Sequence, residues 1–132
     1  MIAVIATVFA ALAALLHVYF FVMESVQWMQ PRIHRRFGVA TPEQAETTRP
    51  LAYNQGFYNL FLAIGAIIGL VLLWAGPDGQ AVDAAGRALT LFTLGCMVAA
   101  ALVLLTTGLK YLRAALIQGV LPLIGFVLLL FA

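Results

Sequence analysis

Charge, cysteine and serine are scarce in this sequence of 132 residues, and each scarcity excludes a class of protein or site. Charged residues make up 9% of the chain, whereas soluble domains carry about 25%, so a soluble globular domain is excluded. Cys96 is the single cysteine, which excludes a disulfide or a cysteine metal site within one chain. Ser25 is the single serine, so the sequence offers few candidates for a catalytic nucleophile. Neither a lysine- and arginine-rich run nor a glycine-rich phosphate loop is present, so no nucleic-acid partner is expected.

Apolar residues are abundant instead, and 64% of the chain is hydrophobic. They gather in four stretches, each close to the ~20 residues that cross a bilayer. The stretches cover about residues 2–24, 53–75, 88–108 and 113–131. The first has no basic start, which favours a membrane span over a cleaved signal peptide. The sequence therefore predicts an all-α, four-transmembrane-helix bundle that forms one integral membrane domain, residues 1–132.

Three connections join the predicted spans. The first, about 25–52, contains several prolines, and Thr41 followed by Pro42 and Glu43 predicts that a short surface helix begins there. Residues 76–79 predict a turn. The third connection is very short.

The basic residues predict the orientation of the chain. Six of the seven lie in the first and third connections, and Arg87 alone lies in the second. Because cytoplasmic loops carry an excess of lysine and arginine, both termini are expected outside. We therefore expect a multi-pass protein of the bacterial inner membrane, oriented N-out and C-out in the lipid bilayer.

Small residues recur at helical spacing in the second and third spans. Gly65 and Gly69 form one such pair, and Gly95 and Ala99 form another. Pairs of this kind allow two membrane helices to approach closely. Packing within one chain is the favoured interpretation, and a homo-oligomer, a dimer or a trimer, is the alternative.

Polar side chains occur in all four spans at the same predicted depth, the cytoplasmic third of the membrane. His17, Phe21, Glu24 and Trp28 are spaced four, three and four apart, which places them on one helix face. Lipid cannot hydrogen-bond to polar groups, so they need partners within the protein. The predicted ligand-binding residues are Glu24, Asn54, Gln55, Asn59, Lys110, Arg113 and Gln118. The predicted supporting residues are His17, Trp28, Tyr58 and Tyr111.

Structural interpretations of the same residues stay open. Glu24 is equally suited to an ion pair with Lys110 or Arg113. The carboxamide side chains are equally suited to hydrogen bonds that hold helices together. An aromatic belt at the membrane interface would account for Trp28, Tyr53 and Tyr111. His34 and its neighbouring arginines are typical of a segment that touches lipid headgroups. No metal is expected, because His17 and Glu24 lie about two helical turns apart and no metal-ligand motif is present.

Several of these residues carry a family resemblance. The chain resembles a family of small bacterial four-span membrane proteins, a numbered domain of unknown function. The match rests on Glu24 with Trp28, on residues 53–59, and on Gln118 and Gly119 followed by Pro122. The resemblance implies an integral membrane protein without an established activity.

A second resemblance is to the membrane-associated eicosanoid and glutathione metabolism enzymes, which are four-span trimers. It rests on Arg49, Asn54, Tyr111 and Arg113. The chain departs from that pattern at Phe57, where those enzymes carry a glutamate. The resemblance implies glutathione as a cofactor, bound on the cytoplasmic side at a subunit interface.

The leading functional hypothesis is a cytoplasm-facing polar pocket that binds a small amphiphilic or anionic ligand. Lys110 and Arg113 would attract an anionic head, and Asn54, Gln55 and Asn59 would orient it. One alternative is a glutathione-dependent membrane transferase, and another is a non-catalytic structural or assembly subunit. The sequence leaves open whether the protein is an enzyme.

Overall fold

Every regular element is helical in the computed structural model, which describes residues 1–76 and 80–132. The α-helices are α1 (Ile2–Phe21), α2 (Pro31–His34), α3 (Pro42–Leu73), α4 (Ala81–Thr106) and α5 (Leu112–Leu130). A π-helical turn, Val22–Val26, follows α1, and 3-10 turns occupy Arg35–Phe37 and Leu109–Tyr111. Most of the turn predicted at 76–79 lies outside the described residues.

Four helical segments are long and apolar enough to cross a membrane, as expected of a multi-pass membrane protein. They are Ile2–Val26, Pro42–Leu73, Ala81–Thr106 and Leu109–Leu130. This agrees with the four apolar stretches of the sequence and confirms the all-α class for the described part of the chain.

Helix α3 begins where the sequence predicts a helix start. The Thr41 hydroxyl accepts the Gln44 backbone N–H at 3.3 Å, and the Gln44 side chain accepts the Thr41 N–H at 3.4 Å. This reciprocal pair is a capping box, and Pro42 occupies the first helical position. The helix then continues to Leu73, so the predicted surface helix and the second span are one element.

Residues 42–52, assigned from the sequence to the first connection, are consequently helical. Pro50, one of the prolines of that connection, lies inside α3. Proline cannot donate to the carbonyl four residues earlier, which is that of Glu46. Glu46 is exposed, and its side chain pairs with Arg49 at 3.6 Å.

Two compact units make up the chain, Met1–Leu16 with Leu62–Ala132, and His17–Phe61. In the first unit, α3 and α4 approach closely through glycines. A Cβ atom on Gly69 would lie 2.8 Å from the Thr90 backbone nitrogen, and one on Gly65 would lie 2.7 Å from Thr93 Cγ2. Both threonine hydroxyls donate to carbonyls of their own helix, so they are buried without losing hydrogen bonds. Gly65 and Gly69 therefore pack within the chain, as favoured from the sequence.

An arginine stabilises the end of α5 in the same unit. The last carbonyls of a helix have no partner within it. Arg87 Nη1 donates to the Leu129 carbonyl at 2.8 Å and to the Ala132 carbonyl at 3.1 Å. The single basic residue of the second connection thus has a structural role.

We expect Arg87→Met to lower the free energy of unfolding by about 1–2 kcal/mol, because hydrogen bonds from a charged donor to two carbonyls are lost. Unfolding by dodecyl sulfate, followed by circular dichroism, measures the change. Arg113→Met is the matched control, since Arg113 is exposed. Equal losses in the two variants would contradict the role of Arg87.

Candidate functional site

The candidate site lies in the unit His17–Phe61, where the end of α1 meets α3. After α1 the chain forms the π-helical turn, in which the Gln27 N–H donates to the Val22 carbonyl at 2.9 Å. Such turns insert one residue into a helix and occur frequently at functional sites. Two consecutive side chains of this turn, Glu24 and Ser25, both hydrogen-bond to α3.

Glu24 is 8% exposed and pairs with a carboxamide. Asn59 Nδ2 donates to Glu24 Oε2 at 2.7 Å and to the Gln55 backbone carbonyl at 3.2 Å. Both amide hydrogens of Asn59 are therefore used. Within its own unit, Glu24 is thus paired with a carboxamide. Its second oxygen, Oε1, accepts no hydrogen bond from the described residues.

A glycine allows the π-helical turn to approach α3 this closely. A Cβ atom on Gly56 would overlap Ser25 Oγ and would lie 3.0 Å from the Ser25 backbone nitrogen and 3.2 Å from Glu24 Cβ. Ser25 Oγ donates to the Tyr53 carbonyl at 2.8 Å across the same contact. The two hydrogen bonds between the turn and α3 therefore flank a close backbone contact that the absence of a side chain at Gly56 favours.

Trp28 links the first connection to the first turns of α3. It is 7% exposed, and its Nε1 donates to the Ala45 carbonyl at 2.9 Å. Its ring packs on Phe37 with the centroids 5.4 Å apart. The interpretation of Trp28 as part of a lipid-facing aromatic belt is therefore wrong, whereas its neighbourhood to Glu24 is confirmed, because both line the same cleft.

His34 also differs from its interpretation as a headgroup contact, because it is 1% exposed. Its Nδ1 donates to the Val39 carbonyl at 2.6 Å, and its Nε2 has no hydrogen-bond partner among the described residues. The three neighbouring arginines are exposed. The short helix α2 thus buries Ile33 and His34, and it is the charged residues around them that face outward.

An open cleft of about 310 Å³ lies beside the Glu24 carboxyl group. Its walls combine one acidic, two neutral polar and four apolar side chains: Glu24, Thr48, Gln55, Trp28, Val39, Leu51 and Ala52. Glu24, Gln55 and Trp28 were predicted in the site, and Asn59 joins them through its bond to Glu24. Four wall residues were missed: Val39, Thr48, Leu51 and Ala52. The helical spacing of the last three from Gln55 places them on its face of α3.

The other predicted site residues lie away from this cleft. Asn54 and Tyr58 are exposed and do not line it. His17 is 3% exposed and packs edge-on against Phe20, with the ring centroids 5.5 Å apart.

Four further predicted residues belong to the other unit, Met1–Leu16 with Leu62–Ala132. Lys110 and Arg113 are exposed, and Tyr111 and Gln118 are half-buried. Lys110 Nζ lies 5.0 Å from the centroid of the Tyr111 ring, within the range of a cation–π contact. A site that these residues share with Glu24 stays a prediction, as does the binding of glutathione.

Comparison with known proteins identifies the family of the chain. No curated protein and no solved structure matches it. A family model matches residues 11–130, a range that includes every residue on which the first resemblance rests. By this match the chain belongs to the family described as "Protein of unknown function (DUF1304)".

Proposed function

We propose that this protein spans the bacterial inner membrane as a four-helix bundle and binds a small amphiphilic ligand in the cleft beside Glu24. The observation that carries the proposal is the Glu24–Asn59 pair, a nearly buried carboxyl group held by a carboxamide at 2.7 Å on the wall of an open cleft.

The hydrogen bonding of Glu24 supports a ligand more than a purely structural pair. An acidic side chain within a membrane span costs roughly 2.5–3.5 kcal/mol at the bilayer centre, and less toward the interface. A structural pair offsets that cost best when both oxygens have donors. Glu24 Oε2 has a donor in Asn59, whereas Oε1 has none among the described residues. A donor on a bound ligand would complete the coordination.

The composition of the walls supports an amphiphile. Trp28, Val39, Leu51 and Ala52 provide apolar surface, and the polar groups Glu24, Thr48 and Gln55 are few. Binding sites for small molecules typically combine apolar walls with a few polar groups that fix the orientation of the ligand. A molecule with a short polar head and an apolar chain matches both kinds of wall.

The distribution of charge supports an N-out, C-out orientation, with the cleft toward the cytoplasmic leaflet. Arg32, Arg35, Arg36 and Arg49 lie in the same unit as the cleft, and basic residues favour the cytoplasmic side. The proposal assigns to Lys110 and Arg113 the contact with anionic lipid headgroups on that side.

Native mass spectrometry of the detergent-purified protein tests the proposal. We expect a small molecule to co-purify with the wild type and Asn59→Leu to lower its occupancy about tenfold or more. The reason is that Asn59 holds the carboxyl group that faces the ligand, and a charge-assisted hydrogen bond contributes about 1.5–3 kcal/mol.

Asn54→Leu is the matched control, because it removes the same group from an exposed position of α3 that does not line the cleft. Its occupancy should equal that of the wild type. Unchanged occupancy in a folded Asn59→Leu protein would contradict the proposed site. A wild type that carries no small molecule and an Asn59→Leu protein that unfolds would favour a structural subunit.

A further inference from the structure

We infer that the ligand, on the basis of the proposed function, has a cationic head with several hydrogen-bond donors, such as a primary ammonium group, and that Glu24 selects it. The inference rests on the balance of hydrogen-bond donors and acceptors in the cleft.

The donors on the cleft walls are almost all used within the protein. The Trp28 N–H donates to the Ala45 carbonyl at 2.9 Å. The Thr48 hydroxyl donates to the Gln44 carbonyl at 2.8 Å. Among the wall residues that the structure describes, none is a lysine, arginine or histidine. The Gln55 carboxamide is therefore the single side-chain donor left for a ligand among the wall residues that the structure describes.

Acceptors, by contrast, are plentiful. Glu24 Oε1 accepts no hydrogen bond from the described residues, the Thr48 oxygen keeps its lone pairs, and Gln55 carries a side-chain carbonyl. An ammonium group has three donors and no acceptor, which matches this set of three oxygens. A phosphate or carboxylate head has only acceptors, and it would face the carboxyl group of Glu24 without a basic residue on the cleft wall to balance the two charges.

Charge and shape favour the same ligand class. A carboxylate and an ammonium group neutralise each other, which reduces the cost of keeping either in a partly buried site when both are hydrogen-bonded. Indole is also the side chain that attracts cations most strongly, and Trp28 lines the cleft. Arg49 lies in the same unit but pairs with Glu46 at 3.6 Å and does not line the cleft. The apolar chain of such a ligand would contact Val39, Leu51 and Ala52.

A fluorescence titration tests the inference. The protein has two tryptophans, so a Trp74→Phe background leaves Trp28 as the single reporter in the cleft. The protein is held in micelles of a detergent with a neutral sugar head and is titrated with dodecylamine, dodecyl phosphate and dodecanol, which share one alkyl chain. We expect a saturable change in Trp28 fluorescence with dodecylamine. The affinities for the other two compounds should be about tenfold or more weaker, since each lacks one charge-assisted hydrogen bond to Glu24.

Two variants test the role of Glu24. Glu24→Gln should abolish the preference for the amine. Glu46→Gln should preserve it, because Glu46 is an exposed carboxylate of the same unit that does not line the cleft. Should Glu24→Gln fail to fold, Thr48→Val replaces it. That variant removes one acceptor at nearly constant shape, and we expect it to weaken amine binding about threefold to tenfold.

The outcomes separate this inference from the proposed function. Saturable binding in which the phosphate or the alcohol binds as tightly as the amine would overturn the cationic head and leave the amphiphile site in place. An amine preference that persists in folded Glu24→Gln would overturn the role of Glu24. If none of the three probes gives a saturable change, both the inference and the proposed function are wrong.

Discussion

Trp28→Ala is expected to lower the free energy of unfolding by about 3–5 kcal/mol, the range typical of deleting a large buried aromatic side chain. Trp28 is 7% exposed, packs on Phe37 and donates to the Ala45 carbonyl at 2.9 Å. The substitution leaves a void in the unit His17–Phe61 and removes the indole hydrogen bond to the Ala45 carbonyl. Dodecyl sulfate unfolding followed by circular dichroism measures the change.

Trp74→Ala is the control for this prediction. Trp74 also donates a hydrogen bond, from Nε1 to Thr7 Oγ1 at 2.9 Å, but it is 54% exposed. Its removal should cost about 1 kcal/mol, the value of one hydrogen bond. Trp28→Phe, which keeps a ring but no donor, should fall between the two alanine variants. A loss as large for Trp74→Ala as for Trp28→Ala would show that burial of Trp28 is not what stabilises this unit.

Gly56→Ala is expected to destabilise the protein by about 1–3 kcal/mol, the usual cost of overpacking. The sign of this change in the free energy of unfolding is informative, because replacing glycine by alanine in a helix interior normally stabilises a protein by about 0.5–1 kcal/mol. At Gly56 the new methyl group would overlap Ser25 Oγ and lie 3.0 Å from the Ser25 backbone nitrogen. A serine side chain can rotate away, but the backbone of the π-helical turn cannot move without disturbing the bonds of Ser25 and Glu24 to α3.

Gly95→Ala gives the opposite expectation and serves as the control. A Cβ atom there would lie 3.4 Å from a ring carbon of Phe126, which is a side-chain contact. We expect this variant to be as stable as the wild type or slightly more stable in the same unfolding experiment. If Gly56→Ala were also neutral or stabilising, the close approach of the turn to α3 would be refuted. A destabilised but folded Gly56→Ala protein should also bind the proposed ligand more weakly, because Glu24 moves with the turn.

Much of the fold follows from local patterns that the sequence displays directly. Runs of apolar residues of membrane-spanning length predict the four long helices, and the capping residues Thr41 and Gln44 mark the start of α3. The continuity of α3 through residues 42–52 was not predicted, because proline is read locally as a helix breaker. Pro50 is accommodated inside α3 at the cost of one helical hydrogen bond, that of the Glu46 carbonyl.

Three of the seven cleft-wall residues, Glu24, Trp28 and Gln55, were singled out from the sequence. The helical spacing of Glu24 and Trp28 predicts one shared face, and both are buried and line the cleft. The hydrogen bonds donated by Ser25 and Trp28 could not be predicted from the sequence. Their acceptors are the backbone carbonyls of Tyr53 and Ala45, which no side-chain pattern indicates. His34 was misread because its arginine neighbours suggest exposure, whereas its ring is buried.

The π-helical turn fixes the number of residues that can separate α1 from Trp28. Each residue of an α-helix rotates the chain by about 100°, so one residue more or less redirects every side chain that follows. Deleting one residue from Val22–Val26 would restore a regular helix and turn Trp28 away from the Ala45 carbonyl. Insertions and deletions should therefore be rejected in the turn that carries Glu24.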